Sequence, residues 1–142
     1  METFISTNNT SLPLYKRVLL VDDDSYNLLI VGKFLKKWGF AYDTAENGQI
    51  AIENLVNQKY DLMLLDLQMP VLNGLDVISF LKKQQSENKF IPIILCTTLK
   101  LDQVYLESLK ENLIQGYLLK PFDENMLKSC IEDINQKFFI NK

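Results

Sequence analysis

The sequence alternates short runs of apolar residues with longer stretches in which apolar residues recur every three or four positions. Short apolar runs bounded by turn residues are typical of strands that are buried on both faces, and the longer stretches have the periodicity of amphipathic helices. Regular alternation of the two predicts repeated strand–helix units around a parallel sheet. The five predicted strands are Val18 to Val21, Phe40 to Thr44, Leu62 to Leu65, Ile91 to Cys96 and Tyr117 to Leu119.

A helix is predicted after each strand, from the apolar spacing and from residues that commonly begin or end helices. The first begins at Asp24 or Ser25 and ends at Gly39, and Asp123 caps the last. The fourth is predicted within Leu101 to Leu113, where the periodicity indicates one further helix before the last strand. The apolar residues that define the other helices are Leu28, Val31, Leu35 and Trp38, then Ala51 and Leu55, then Leu75, Ile78 and Leu81, and finally Leu127, Ile131, Ile134 and Phe138.

Length and composition indicate one folded domain with a short extension. A chain of 142 residues with 47% hydrophobic and 23% charged residues can bury a core without disulfides or a structural metal. Residues 1–16 are rich in Thr, Ser and Asn, so we expect a flexible N-terminal tail or linker there. Residues 17–139 are predicted to form the domain.

The charge and the amino acid types that are missing exclude several functions. A net charge of −3 with scattered Lys and Arg argues against nucleic-acid binding by this chain alone. The N-terminus lacks the basic and apolar segments of a signal peptide, so we expect a cytoplasmic protein that does not bind membranes. Because the chain contains no histidine, any phosphohistidine involved in its function must come from a partner.

Polar residues of complementary type follow four of the predicted strands. Asp22 and Asp23 follow the first strand, Asp66 the third, Thr97 the fourth and Lys120 the fifth. The carboxyl ends of parallel strands meet at one edge of a sheet, where ligands bind. Two carboxylates about 4 Å apart repel by roughly 4 kcal/mol at an effective dielectric near 20, so the cluster needs a cation. A hard divalent ion with oxygen ligands meets that need, and the sequence therefore predicts a phosphoryl-transfer site.

Four motifs occur in a fixed order along the chain: Val21-Asp22-Asp23-Asp24, Asp66-Leu67-Gln68-Met69-Pro70 with Gly74, Thr97, and Lys120-Pro121-Phe122. In this order and spacing they resemble the motifs of the receiver domain of two-component response regulators. The resemblance covers Arg17 to Phe138 and implies a flavodoxin-like α/β fold, with a five-stranded parallel sheet in the order 2-1-3-4-5 and helices on both faces. Asn27 and the Asn47-Gly48 pair are similar to those of receivers attached to hybrid sensor kinases.

The resemblance implies a magnesium-dependent phosphoacceptor. Asp66 is implied to be the nucleophile that takes a phosphoryl group from a phosphohistidine of a histidine kinase or a histidine phosphotransfer protein, or from a small acyl phosphate. The implied Mg²⁺ ligands are Asp23 and Asp66, the backbone carbonyl of Gln68, and Asp22 through a coordinated water. Such a domain catalyses only its own phosphorylation and dephosphorylation, and it is a signalling module in a phosphorelay rather than an enzyme.

The resemblance also assigns roles to residues around the phosphoryl group. The Thr97 hydroxyl and the Lys120 ammonium are implied to bind phosphoryl oxygens, and the Lys120–Pro121 peptide bond is implied to be cis. Tyr117 occupies the position of the family's switch aromatic, which turns inward with Thr97 and changes a protein-interaction surface. The output is then a downstream protein target or an attached domain, and the sequence leaves both open.

Two positions depart from the family's usual pattern. Thr98 stands where a small residue is usual, and its bulk is expected to narrow the approach to Asp66. Leu99 occupies a position that tunes attack by water, and its apolar side chain is expected to help exclude water.

Two other functions compete with a receiver. The first is an aspartyl-phosphate phosphatase whose nucleophile is Asp22, since Asp22 and Asp24 have the Asp-x-Asp spacing of such enzymes. Tyr26 stands where these enzymes have Thr or Val. The second is a flavin mononucleotide carrier, which needs a phosphate-binding loop where this chain has acids that repel phosphate.

Overall fold

Five strands and five helices alternate along residues 16–83, 88–110 and 114–136, which are the residues that the computed structural model describes. The strands are β1 (Arg17–Val21), β2 (Ala41–Ala45), β3 (Leu62–Leu65), β4 (Ile93–Thr97) and β5 (Ile114–Leu119). The helices are α1 (Ser25–Lys37), α2 (Gly48–Asn57), α3 (Gly74–Lys83), α4 (Gln103–Lys110) and α5 (Glu124–Asn135). The predicted tail up to residue 15, residues 111–113 of the predicted fourth helix and Phe138 lie outside the described residues.

All five strands are parallel and lie in the order β2-β1-β3-β4-β5. This is the predicted order 2-1-3-4-5, so the predicted fold class is confirmed. Val21 lies opposite Leu65, and Leu65 opposite Leu95, in the two central ladders. The register therefore brings the residues that follow β1, β3 and β4 to the same edge of the sheet.

Alternation of side chains along the strands divides the core into two layers. Leu19 and Val21 pack on the face that is covered by α2 and α3, whereas Val18 and Leu20 pack on the face covered by α1 and α5. Burying one such side chain stabilises the fold by about 1.5–3 kcal/mol. Both faces of the sheet are covered, as parallel sheets require.

Three helices begin at polar caps, and two of these caps, Asp24 and Asp123, were predicted. The side chain of Asp24 accepts hydrogen bonds from the backbone N of Tyr26 and Asn27, and Asp123 accepts one from Met126 N. Asn47 caps α2 by accepting from Ile50 N. Each of these helices begins within a few residues of a strand end, so the capped helix starts lie at the carboxyl edge of the sheet.

Four of the five predicted strands have different bounds in the structure, and for β1 and β2 the difference is at most one residue at either end. β4 begins at Ile93 rather than Ile91, since Pro92 has no N–H to donate, although its carbonyl still accepts from Met63 N at 3.0 Å. β5 begins at Ile114, three residues before the predicted start. The predicted strand started too late because Gly116 interrupts the apolar run in the sequence. Ile94 pairs with Gly116 next to a register shift in this ladder.

Among the described residues, no helix combines the length and the apolar composition that crossing a bilayer requires.

Candidate functional site

Three carboxylates converge at the carboxyl edge of the sheet. Asp22 and Asp23 follow β1 and Asp66 follows β3, and one oxygen of each lies within 4.8 Å of the others. Backbone hydrogen bonds hold the first and third in place, since Asp22 N donates to Ala45 O and Asp66 N donates to Val21 O. Asp22 and Asp66 are buried, whereas Asp23 is exposed. The convergence predicted from the strand ends is therefore present.

Lys120 supplies the positive charge within this cluster. Its Nζ lies 2.7 Å from Asp22 Oδ2 and 3.5 Å from Asp66 Oδ2. Burial alone would lower the pKa of Lys120, but the hydrogen bond to Asp22 and the attraction of both acids outweigh burial and raise it. The Lys120–Pro121 peptide bond is cis. Lys120 thus pairs with Asp22 and Asp66, and its one positive charge is smaller than the negative charge of the three acids.

The ionised form of Asp66 is disfavoured in this cluster. The pKa of its carboxyl is raised from 3.8 to about 6: desolvation is the largest cause, the charges of Asp22 and Asp23 add to it, and the Gln68 hydrogen bond and the charge of Lys120 oppose it. Its Oδ1 accepts from Gln68 N at 3.1 Å. Perturbed carboxyl groups of this kind are common where a protein holds a reactive group or a metal.

The loop after β3 is built on the backbone of Asp66. Gly74 N donates to Leu67 O at 3.0 Å, and a Cβ at Gly74 would lie 2.5 Å from Asp66 O. Only glycine allows this approach, because a side chain there would displace the backbone that carries Asp66. Gly48 N donates to Leu72 O at 3.1 Å, which joins the start of α2 to the same loop.

The same loop contains a strained residue, Val71. Its φ is 70° and its side chain is 81% exposed. A β-branched residue in the left-handed region costs about 1–3 kcal/mol, whereas Asn adopts that region readily. Val71→Asn is therefore expected to raise the free energy of unfolding by about 1 kcal/mol, measured by urea denaturation.

Val56→Asn is the matched control for this prediction. Val56 is also exposed, at 62%, but lies in α2, where Val and Asn have similar helix propensities. The free energy of unfolding of the Val56→Asn variant is expected to differ little from that of the natural chain. An equal gain in both variants would show that loss of an exposed valine, and not relief of backbone strain, explains the result.

Thr97 and Tyr117 lie beside the cluster and are joined through one loop. Thr97 is fully buried at the end of β4, where its Oγ1 accepts from Leu99 N at 3.2 Å and its carbonyl accepts from Lys120 N at 2.7 Å. The half-buried Tyr117 donates its hydroxyl to Leu99 O at 2.7 Å and accepts from Leu101 N at 3.2 Å. The loop that follows Thr97 is thus held at both of its ends by the two residues expected to move together.

Asn27 is a site residue whose position the sequence interpretation missed. Its Nδ2 donates to Asp22 Oδ2 at 2.6 Å, and Asp24 N donates to Asp22 Oδ1 at 3.0 Å. Together with Lys120 these bonds occupy both oxygens of Asp22. The available signal was the place of Asn27 in the first turn of α1, at the same edge as the acids.

The sequence profile of the response regulator receiver domain matches residues 18–132 of this chain. The chain belongs to this family. It is a receiver domain of the kind found in two-component response regulators, and the predicted resemblance is confirmed.

Curated relatives of this receiver domain occur in bacteria and in a eukaryote. The transcriptional regulatory protein ZraR of Escherichia coli is 32% identical over 115 residues, which cover 81% of the chain and 25% of ZraR. The 3',5'-cyclic-nucleotide phosphodiesterase regA of Dictyostelium discoideum is 32% identical over 129 residues, which cover 89% of this chain and 16% of regA. The autoinducer 2 sensor kinase/phosphatase LuxQ of Vibrio parahaemolyticus is 33% identical over 126 residues, which cover 89% of this chain and 14% of LuxQ. The chain thus spans a quarter or less of the length of these relatives.

Solved receiver structures have the same fold. Chemotaxis protein CheY4 of Vibrio cholerae is 28% identical with a TM-score of 0.77, covering 84% of this chain and 98% of that one. The receiver domain of a sensor histidine kinase from Pseudomonas aeruginosa is 26% identical with a TM-score of 0.74, and the match covers 86% of this chain and 98% of that domain. That structure contains a magnesium ion coordinated in its active site cleft.

Proposed function

We propose that this receiver domain is the phosphoacceptor of a two-component phosphorelay and that Asp66 accepts the phosphoryl group. The observation that carries the proposal is the convergence of Asp22, Asp23 and Asp66 within 4.8 Å, with Lys120 between two of them. Membership of the receiver family supports it.

The donor set fits Mg²⁺. Three carboxylates supply hard oxygen ligands on one side of the site, and one ammonium leaves part of their charge uncompensated. We propose that Asp23 and Asp66 bind the ion directly, that Asp22 binds it through water, and that the Gln68 carbonyl completes the protein ligands. When bound, the ion neutralises charge on the acids and on the transferred phosphoryl group.

The transfer is a displacement at phosphorus. An Oδ of ionised Asp66 forms a bond to the phosphorus of a partner's phosphohistidine while the bond from phosphorus to the imidazole nitrogen breaks. The nitrogen keeps the electron pair and takes up a proton from solvent, so that neutral histidine leaves. Lys120 binds one phosphoryl oxygen by its charge and Thr97 another by its hydroxyl, and no general base is required.

The output proposed for this domain is a change of its protein-binding surface. The Thr97 hydroxyl leaves Leu99 N when it binds the phosphoryl group, and this changes the loop that also holds the Tyr117 hydroxyl. Tyr117 then adopts an inward position in a two-state equilibrium that phosphorylation biases. The partners are a histidine kinase or a histidine phosphotransfer protein, and a downstream protein or an attached domain, in the cytoplasm.

The geometry favours Asp66 over Asp22 as the nucleophile. Both oxygens of Asp22 already accept hydrogen bonds, and Asp24, its partner in the competing phosphatase arrangement, caps α1. Asp66 Oδ2 has only the longer contact to Lys120 among the described residues. A nucleophile needs a free lone pair, and Asp66 offers one.

Mass mapping of the phosphorylated site tests the proposal. We expect incubation with acetyl phosphate and Mg²⁺ to add one phosphoryl group per chain, on the peptide that contains Asp66. Borohydride reduction before digestion converts the acyl phosphate to an alcohol and marks the modified residue. Label on Asp22, or no label with magnesium present, would contradict the proposal.

A further inference from the structure

One oxygen of the buried Asp22 carboxylate is shared by two donors. Asn27 Nδ2 donates to Asp22 Oδ2 at 2.6 Å, and Lys120 Nζ donates to the same oxygen at 2.7 Å. The other oxygen, Oδ1, accepts from Asp24 N at 3.0 Å. Asp22 is 2% exposed, so water is a poor substitute for these donors. The two donors to Oδ2 differ in kind, because one is a neutral amide and the other is a charged ammonium.

The two donors also differ in how firmly they are placed. Asn27 lies in the first turn of α1, which Asp24 caps, so the helix fixes its backbone. Lys120 carries its ammonium at the end of a flexible four-carbon side chain. Its Nζ lies 3.5 Å from Asp66 Oδ2, which is within reach of a phosphoryl group on that acid. A cavity of about 320 Å³, which Asn27 and Lys120 both line, leaves room for the ammonium to move.

Transfer to Asp66 weakens the contact between Lys120 and Asp22. The proposed mechanism places the Lys120 ammonium on a phosphoryl oxygen, and an ammonium that is drawn there binds Asp22 less tightly. Without a second donor, Asp22 Oδ2 would then be a buried carboxylate oxygen that lacks a hydrogen bond, which is unfavourable. Asn27 already donates to that oxygen and does not need to move.

We propose that Asn27 is a positioning residue that keeps Asp22 Oδ2 hydrogen-bonded when Lys120 moves to the phosphoryl group on Asp66. This inference rests on the proposed function, because it concerns the step in which Asp66 is phosphorylated. The Asn27 amide touches no reacting atom and acts through Asp22 and Lys120. It makes the exchange less unfavourable and leaves the ammonium free to stabilise charge on the phosphoryl oxygens.

Asn27→Leu tests the role, because leucine has nearly the shape of asparagine and lacks the amide. We expect labelling by acetyl phosphate at saturating Mg²⁺ to slow by roughly 10- to 100-fold, the range for one hydrogen bond to a charged group. In this reaction an Oδ of Asp66 bonds to phosphorus while the bond from phosphorus to the acetate oxygen breaks, and acetate leaves with the electron pair. No proton is transferred, and Lys120 remains charged throughout.

Lys120→Met separates positioning from a structural role. Once the ammonium is absent there is no exchange to assist, so adding Asn27→Leu should slow the remaining labelling by less than about twofold. Stability in a chelator should show the opposite dependence. Asn27→Leu alone leaves Lys120 on Asp22 Oδ2 and should lower the urea midpoint slightly. In the Lys120→Met background it removes the second of the two donors described above and should lower the midpoint by roughly twice as much or more.

Asn54→Leu is the matched control for this substitution. Asn54 is also half-buried, but it lies in α2, on the opposite face of the sheet from α1. We expect it to leave the labelling rate unchanged and to shift the urea midpoint equally with and without Lys120→Met. All chains are measured in the same concentration of sucrose, which stabilises each of them and keeps the double variant folded before urea is added.

The outcomes separate the role of Asn27 from the proposed function. If the natural chain takes no label at Asp66, the proposed function fails and this inference fails with it. If the natural chain is labelled but Asn27→Leu leaves the rate unchanged, or slows labelling equally in both backgrounds, the positioning role is overturned while the proposed function stands. Equal losses of the urea midpoint in the two backgrounds would also overturn it, because Asn27 would then act independently of Lys120.

Discussion

An Asp66→Asn variant is expected to take no phosphoryl group from acetyl phosphate and, without magnesium, to be more stable than the natural chain. The first effect follows because an amide oxygen is not a nucleophile that can replace the carboxylate. The second follows because Asp66 is a carboxylate whose ionised form is disfavoured by burial and by Asp22 and Asp23. Labelling is measured by intact mass, and stability by thermal unfolding in a chelator.

The gain in stability should depend on pH. Because the pKa of Asp66 is raised to about 6 in the folded chain from 3.8, its ionisation destabilises the fold above the higher value. The full shift corresponds to about 3 kcal/mol, and we expect about 1–2 kcal/mol after screening by solvent. The advantage of Asp66→Asn is thus greatest near pH 7 and disappears as the pH falls through about 6 toward 4.

Glu53→Gln serves as the control for net charge. Glu53 is exposed on α2, so removing its charge should change stability little and without this pH dependence. If Asp66→Asn is less stable than the natural chain at pH 7 in the chelator, the ionised carboxylate contributes to folding and its repulsion from the other acids is not the dominant effect.

The convergence of the site was predictable because it follows from general rules. Apolar runs predict the strands, and the parallel arrangement of the strands places Asp22, Asp66 and Lys120 at one edge. The helix caps Asp24 and Asp123 were also predictable, since capping depends on a side chain and on the backbone two or three residues away. Local chemistry and topology were sufficient for these features.

Contacts between distant polar groups were not predictable in the same way. Asn88 is 2% exposed, and its side chain accepts from Tyr60 N and donates to Leu55 O and Gln58 O. Its partners are backbone groups about 30 positions away, which leave no pattern in the sequence. The hydrogen bond that Thr98 Oγ1 donates to Gln68 Oε1 at 3.2 Å was missed for the same reason, although the bulk of Thr98 at the site was noted.

Removing the charge of Lys120 is expected to have the largest combined effect of any single substitution at the site. In Lys120→Met the acids lose the ammonium that lies 2.7 Å from Asp22 and 3.5 Å from Asp66. The metal-free chain should lose about 2–4 kcal/mol of stability, because partly buried carboxylates are left without a counter-ion. Labelling of Asp66 should slow by roughly 100-fold or more, since one phosphoryl oxygen loses its cation.

Magnesium should distinguish these two losses. We expect Mg²⁺ to raise the unfolding temperature of Lys120→Met more than that of the natural chain, because the ion replaces the missing positive charge. Labelling should stay slow at saturating Mg²⁺, because the ion does not replace the contact from Lys120 to the phosphoryl group. Thermal unfolding over a magnesium titration, together with labelling rates at its end point, measures both effects.

Lys120→Arg separates charge from shape. Arginine keeps a positive charge near Asp22 but presents a planar fork in place of a compact ammonium. It should recover most of the stability of the metal-free chain and little of the labelling rate. If Lys120→Met is as stable as the natural chain without metal, then the three acids are compensated by other means, and Lys120 is not the counter-ion that stabilises them.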